Sequence, residues 1–185
     1  MADHAPAPAE PSDWVIRFAG LIRAGGRVLD LACGSGRHAC YLAKRGFEVE
    51  AVDRDAAALA LLAQAPGVNV TLADLEGGPW PYAGVRFDGI VVTNYLHRPL
   101  LPVLCASLEP GGVLIYETFA QGNERYGRPS NPQFLLQPGE LLRVSDALRV
   151  IAYEDLYVDH PRPALVQRIC ARHAGQASVP QARMV

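Results

Sequence analysis

The sequence predicts an α/β fold, a parallel sheet with helices packed on both faces. Three observations carry that prediction. From residue 27 to 119, short apolar runs alternate with segments of helical spacing, the rhythm of strand–helix–strand crossovers. FDGIVVTN at 87–94 is nearly all apolar, as a strand covered on both faces must be. At the end, LRVIAYEDLYV (148–158) and ALVQRICARHA (164–174) are joined only by DHPRP. That link is too short for a crossover and suits an antiparallel hairpin.

The elements run in order along the chain. MADHAPAPAEPS at 1–12 is Ala/Pro-rich and reads as a mobile N-terminus. Ser12 or Asp13 can cap a helix over 13–24, where Trp14, Phe18, Leu21 and Ile22 recur at helical spacing. Strand one is RVLDLA at 27–32, followed by a helix over 35–46 that stops at Gly46. FEVEAVD at 47–53 alternates as strand two, and RDAAALALLAQA is an Ala/Leu-rich helix closed by Pro66-Gly67. VNVTLAD at 68–74 is strand three and 87–94 strand four. The segment 98–112 carries a helix ending at Pro110-Gly111-Gly112, and VLIYETF at 113–119 is strand five. A long loop at 120–139 and a short helix near 138–146 precede the hairpin. One domain over 13–174 and a C-terminal tail at 175–185 complete the expected organisation.

Composition narrows the function. Half of the 185 residues are hydrophobic and the net charge is −2, so no basic excess argues for nucleic acid. The four cysteines, 33, 40, 105 and 170, contain no C-x-x-C pair, which argues against zinc. They read as reduced thiols of a cytoplasmic protein. No apolar run is long enough to span a bilayer.

Chemistry concentrates at the carboxyl ends of the strands, where open α/β sheets bind ligands. DLACGSG at 30–36 closes strand one and opens a helix. Gly34 and Gly36 lack a Cβ, so a ligand can lie against their backbone. Asp30 lies inside strand one, Asp53 ends strand two, and Asp74 ends strand three. A carboxylate in Asp30's place is costly unless paired or facing a cation. Asp53 stands where ribose hydroxyls are commonly held. Asp74 can accept from an exocyclic amine while Leu75 covers an adenine face. Each acid alone also serves as a cap or turn former; together they outline a nucleoside-shaped slot.

Over residues 12–174 the chain resembles the class I S-adenosylmethionine-dependent methyltransferases. VLDLACGSGRHA matches that family's glycine-rich first motif, VEAVDRD its acidic second and VTLADLEG its third. FDGIVVTNYLHR matches the fourth and LEPGGVLIYETF the region after it. Compactness and ETFAQGNERYGRPSNPQFLLQPGELL at 117–142 resemble the small bacterial tellurite-resistance type. The resemblance implies a seven-stranded sheet of order 3-2-1-4-5-7-6 with strand seven antiparallel. It implies S-adenosylmethionine as donor, S-adenosylhomocysteine as product, and contacts from Asp30, Ala32, Gly34, Gly36, Asp53, Arg54, Asp74, Leu75 and Asn94. It implies a small-molecule acceptor such as a chalcogen oxyanion or other soft nucleophile. A dinucleotide is the weaker alternative, since Asp30 beside the turn would repel a pyrophosphate. An RNA or protein methyltransferase and a donor-binding module without turnover stay open.

Methyl transfer needs alignment more than acid–base chemistry, and no catalytic triad is evident. Asn94, Tyr95 and His97 come after strand four and are the catalytic candidates, His97 as a base near neutral pH. Glu117 ends strand five; Asn123, Tyr126 and Arg128 lie in the long loop, which has the length of a lid. His160 and Arg162 sit in the final turn. These six are the acceptor-side candidates. No metal site is expected.

Overall fold

The computed structural model describes residues 10–175. Expectations for residues 1–9 and 176–185 lie outside the described residues. Seven strands form one sheet: β1 (Arg27–Leu31), β2 (Glu48–Asp53), β3 (Val68–Leu72), β4 (Phe87–Thr93), β5 (Leu108–Phe119), β6 (Leu148–Val158) and β7 (Ala164–His173). Their order is β3-β2-β1-β4-β5-β7-β6. β1 to β5 pair in parallel, and β7 runs antiparallel to β5 and β6, as expected.

Alternation along the strands builds two cores. Leu29 and Leu31 of β1, with Leu114 and Tyr116 of β5, face one side. Val28, Val113 and Ile115 face the other. The period-two pleat dictates this division. Helices α1 (Asp13–Phe18), α2 (Arg37–Lys44) and α3 (Ala56–Ala60) cover the second side, with Trp14, Phe18, Leu42 and Leu59 buried there. Helices α4 (Leu101–Ala106) and α5 (Glu140–Val144) cover the first through Leu104 and Leu141. Asp30 sits between Leu29 and Leu31 on the pleat and so points toward α2.

The helices are shorter than their sequence spans. α1 stops at Phe18 and yields to a 3-10 turn, Ala19–Leu21. α3 keeps only five residues, and Leu61 beyond it is 75% exposed. Ala-rich propensity without packing does not offset the cost of starting a helix. β5 begins at Leu108, not 113: the Pro110-Gly111-Gly112 stretch is strand, with a register shift against β4 between Phe87 and Gly89. The inserted residues make a bulge.

The segment 120–139 is tied to its surroundings at several points. Two 3-10 turns, Asn123–Arg125 and Pro132–Phe134, shape it. Leu136 N–H donates to the Phe119 carbonyl at 3.0 Å and Gln121 N–H to that of Leu136 at 2.9 Å. Arg98 clamps it: the guanidinium grips both oxygens of Glu140 at 2.7 and 3.0 Å and donates to the Gln133 and Leu135 carbonyls. A bidentate, charge-assisted pair of this kind fixes geometry as well as adding energy.

Candidate active site

Two cavities open at the carboxyl edge of the sheet. The smaller, about 180 Å³, is lined by Ala32, Asp53, Arg54, Asp74, Leu75 and Tyr95, with Ala73 and Glu76. The larger, about 590 Å³, lies beside it between the N-terminal stretch 10–13, the end of β5 and the β6–β7 turn.

The smaller slot arises from local chain logic. Asp53 ends β2 and braces the glycine turn: its Oδ2 accepts from Gly34 N–H at 2.8 Å and its Oδ1 from Asp55 N–H at 2.9 Å. Each oxygen keeps a lone pair for a ligand hydroxyl. Asp74 lies just past β3, and the Glu76 N–H donates to its Oδ1 at 3.0 Å. That bond and one from Gly77 hold its carboxyl below the usual range. Leu75 is buried beside it.

The expected acids thus split. Asp53 and Asp74 share the slot; Asp30 does not enter it. Asp30 is 1% exposed and its Oδ2 has no hydrogen-bond partner. Burial pushes its pKa up to about 7, against the lowering effects of the Ala39 backbone and Arg37. It lies beneath the turn because the pleat aims it at α2. Gly36 does not line the slot. With φ near +79°, it has a backbone few other residues adopt, and an added Cβ would fall within 2.7 Å of Leu62 Cγ. Its missing side chain makes room for Leu62. Around Gly34, by contrast, the space is open.

Of the three catalytic candidates, only Asn94 faces the larger cavity. Tyr95 turns the other way and lines the slot. Its hydroxyl is buried without a partner, and burial pushes its pKa up to about 12, so it stays a phenol. His97 lines neither cavity; it precedes the 3-10 turn Arg98–Leu100, and its charge helps hold the Asp74 carboxyl low. Glu117, His160 and Arg162 reach the larger cavity as expected. Asn123, Tyr126 and Arg128 do not, and edge a separate cleft of about 30 Å³. Asn123 is consumed by structure: its amide donates to the Pro129 carbonyl and its Oδ1 accepts from Leu165 N–H. Tyr126 packs on Tyr157 instead, ring centroids 5.1 Å apart.

Sequence reasoning missed the network behind the larger cavity. Ser12 Oγ accepts from Trp14 N–H at 3.1 Å, capping α1, and donates to Glu117 Oε1 at 2.8 Å. Ser12 N–H donates to His38 Nε2 at 3.1 Å. His38 Nε2 is therefore bare, and its proton sits on Nδ1, 3.3 Å from Thr93 Oγ1. Burial, with Arg37 nearby, pushes the His38 pKa down to about 3. Glu117 Oε2 accepts from Arg168 at 3.0 Å, and Arg168 also holds Glu154 at 2.8 Å. No local pattern flags His38, which sits on the apolar face of α2 in plain helical spacing.

Among the described residues two that are not glycine have left-handed backbone, Ala32 (φ 53°) and Asn94 (φ 55°). They come directly after β1 and β4, the adjacent central strands, and each lines a cavity. Strain of this kind costs about 1–3 kcal/mol and gathers at functional sites.

The fold matches known structures. TehB from Haemophilus influenzae superposes with a TM-score of 0.72 at 20% identity, over 88% of this chain and 62% of that one. The chain thus spans under two thirds of that protein's length. A TehB-like SAM-dependent methyltransferase from Corynebacterium glutamicum gives 0.63 at 20% identity, over 85% of both chains. Coclaurine N-methyltransferase, bound to N-methylheliamine and SAH, gives 0.66 at 13% identity, over 86% of this chain and 71% of that one. No curated protein sequence matches this chain. A family model described as "Methyltransferase domain" matches residues 3–161, and the chain with these two adjoining cavities belongs to that methyltransferase family.

Proposed function

We propose that the chain is an S-adenosylmethionine-dependent methyltransferase acting on a small molecule. The donor's nucleoside occupies the 180 Å³ slot and the acceptor the 590 Å³ cavity. One observation carries the reading. Asp53 and Asp74 share the slot, and Asp53 has already taken the Gly34 N–H. That amide is one a pyrophosphate would need, and the acids around it repel phosphate. A phosphate-free nucleoside fits the donor set.

S-adenosylmethionine, when bound, would supply a methyl carbon activated by its sulfonium: the acceptor nucleophile bonds to that carbon as the S–CH3 bond breaks and S-adenosylhomocysteine leaves. The chain's own work is positional. Asp53 accepts from the ribose hydroxyls, Asp74 from the adenine amine, and Leu75 covers the base. Asn94 and Tyr95, consecutive in sequence, face the two cavities and mark where these meet. The acceptor's nucleophile belongs at that point. Both Glu117 oxygens are engaged, one by Ser12 and one by Arg168, so it orients an acceptor only if that acceptor displaces one of those partners. Alignment and exclusion of water supply the rate.

The chalcogen oxyanions implied by the resemblance belong to the acceptor panel, with thiols and small carboxylates. The four cysteines are all free, which supports a reducing, cytoplasmic setting. Among the described residues no helix is long and apolar enough to cross a membrane. Isothermal titration with S-adenosylhomocysteine tests the donor site; S-adenosylhomocysteine release across the panel tests turnover. Absence of S-adenosylhomocysteine binding would sink the reading.

A further inference from the structure

We propose that the acceptor is an organic monoanion: a carboxylate carried on an apolar body, anchored by Arg162 in the larger cavity. This rests on the methyltransferase reading above and names the substrate class of its acceptor site.

Size and wall argue for an apolar body. A cavity of about 590 Å³ lies in the range that buries most of a drug-sized molecule. Phe119, Val158, Ala164 and Val166 supply a continuous apolar wall from the end of β5 and the last hairpin. A bare inorganic oxyanion would leave that wall against water, and covering it contributes about 25 cal/mol per Å².

Charge argues for a single carboxylate. The Arg168 guanidinium in the lining is committed to Glu117 and Glu154. Arg162 forms no ion pair among the described residues. Its guanidinium lies over the Phe119 ring, 5.6 Å from the centroid, which sets the charge beside the apolar wall. Arg presents a planar fork that matches a carboxylate. His160 borders the same rim, and Arg37 faces the cavity while donating to the Glu10 carbonyl at 3.3 Å. Glu10 and Asp13 line the space as well. Their carboxylates limit how much negative charge a ligand can bring, so a monoanion is favoured over a dianion such as a phosphate monoester. Asn94 lies at the meeting point with the slot, so the acceptor spans the cavity: nucleophile at Asn94, carboxylate at Arg162.

The test uses the full chain saturated with S-adenosylhomocysteine. Benzoate, phenylacetate and 3-phenylpropionate are titrated calorimetrically beside their neutral amides, phenyl phosphate, selenite and tellurite. At least one carboxylate should bind about tenfold or more tightly than its amide, and more tightly than phenyl phosphate or either inorganic anion. Arg162→Gln should erase the preference over the amide, Arg162→Lys should keep most of it, and neither should change S-adenosylhomocysteine affinity. The proposal is overturned if no carboxylate binds, if amide and carboxylate bind alike, if phenyl phosphate or an inorganic anion binds more tightly, or if Arg162→Gln leaves the preference intact. Failure of the wild-type chain to bind S-adenosylhomocysteine would overturn the methyltransferase reading instead.

Discussion

The slot and the larger cavity share one edge of the sheet but are assembled in opposite ways. The slot takes its residues from just past the ends of β1, β2 and β3, with Tyr95 from just past β4. The larger cavity joins residues 10–13, the start of α2, the end of β5 and the turn between β6 and β7. Its hydrogen bonds span the chain: Ser12 to Glu117, Ser12 to His38, Arg168 to Glu117. The difference teaches that one half of this site is a property of strand ends and the other of tertiary closure. Changes to the first should move donor binding, and changes to the second should move the acceptor.

The largest expected effect tests the floor under the slot. Asp30 has its pKa raised from 3.8 to about 7. The folded state therefore holds that proton more tightly than the unfolded chain. Its stabilising contribution is complete below about pH 4 and is lost as pH rises through 7. Asp30→Asn removes the penalty and should stabilise the protein at pH 8 by up to about 4 kcal/mol, with little gain at pH 4. His38 runs the other way. Its pKa falls from 6.5 to about 3, so stability is lost as pH drops below 6.5. The two offset each other between pH 4 and 6.5, and melting curves across that window should be flatter for the wild type than for Asp30→Asn.

Next comes Gly36→Val, which sets a β-branched side chain on a φ of +79° and into Leu62. Overpacking and backbone strain together should cost about 3 kcal/mol or more in denaturant unfolding. An unchanged midpoint would return Gly36 to the ligand's side. Asp53→Ala should weaken S-adenosylhomocysteine about tenfold or more, roughly 1.4 kcal/mol, without changing the affinity of the larger cavity for an anion. Smallest is Ser12→Ala. Loss of the cap should cost about 1 kcal/mol and raise the acceptor KM while donor affinity holds. If donor affinity falls with it, the two halves are not separable.

Much of this was legible. Alternating apolar runs of period two and helical stretches delivered the sheet, and the short DHPRP link delivered the antiparallel end. Asp53, Asp74 and Leu75 could be named from sequence because strand ends advertise themselves, and the structure brings the three to one slot. Tyr95 lines the slot and His97 neither cavity, a division that neighbours along the chain do not reveal, because it depends on which way a left-handed Asn94 turns the residues after it. Ser12 and His38 were unreadable for another reason: one looks like a cap and the other like a core histidine, and both are. Only the chain of bonds from His38 to the Ser12 N–H and from the Ser12 hydroxyl to Glu117, 105 residues away, ties them to the larger cavity. The loop 120–139 looked free because its restraint comes from Arg98.

That restraint bears on traffic. With Arg98 bolting the segment to Glu140, any swing of 120–139 would first have to break that two-toothed grip. If that grip persists through the reaction cycle, traffic needs no loop opening. Thickening the solvent should then slow turnover only as it slows diffusion.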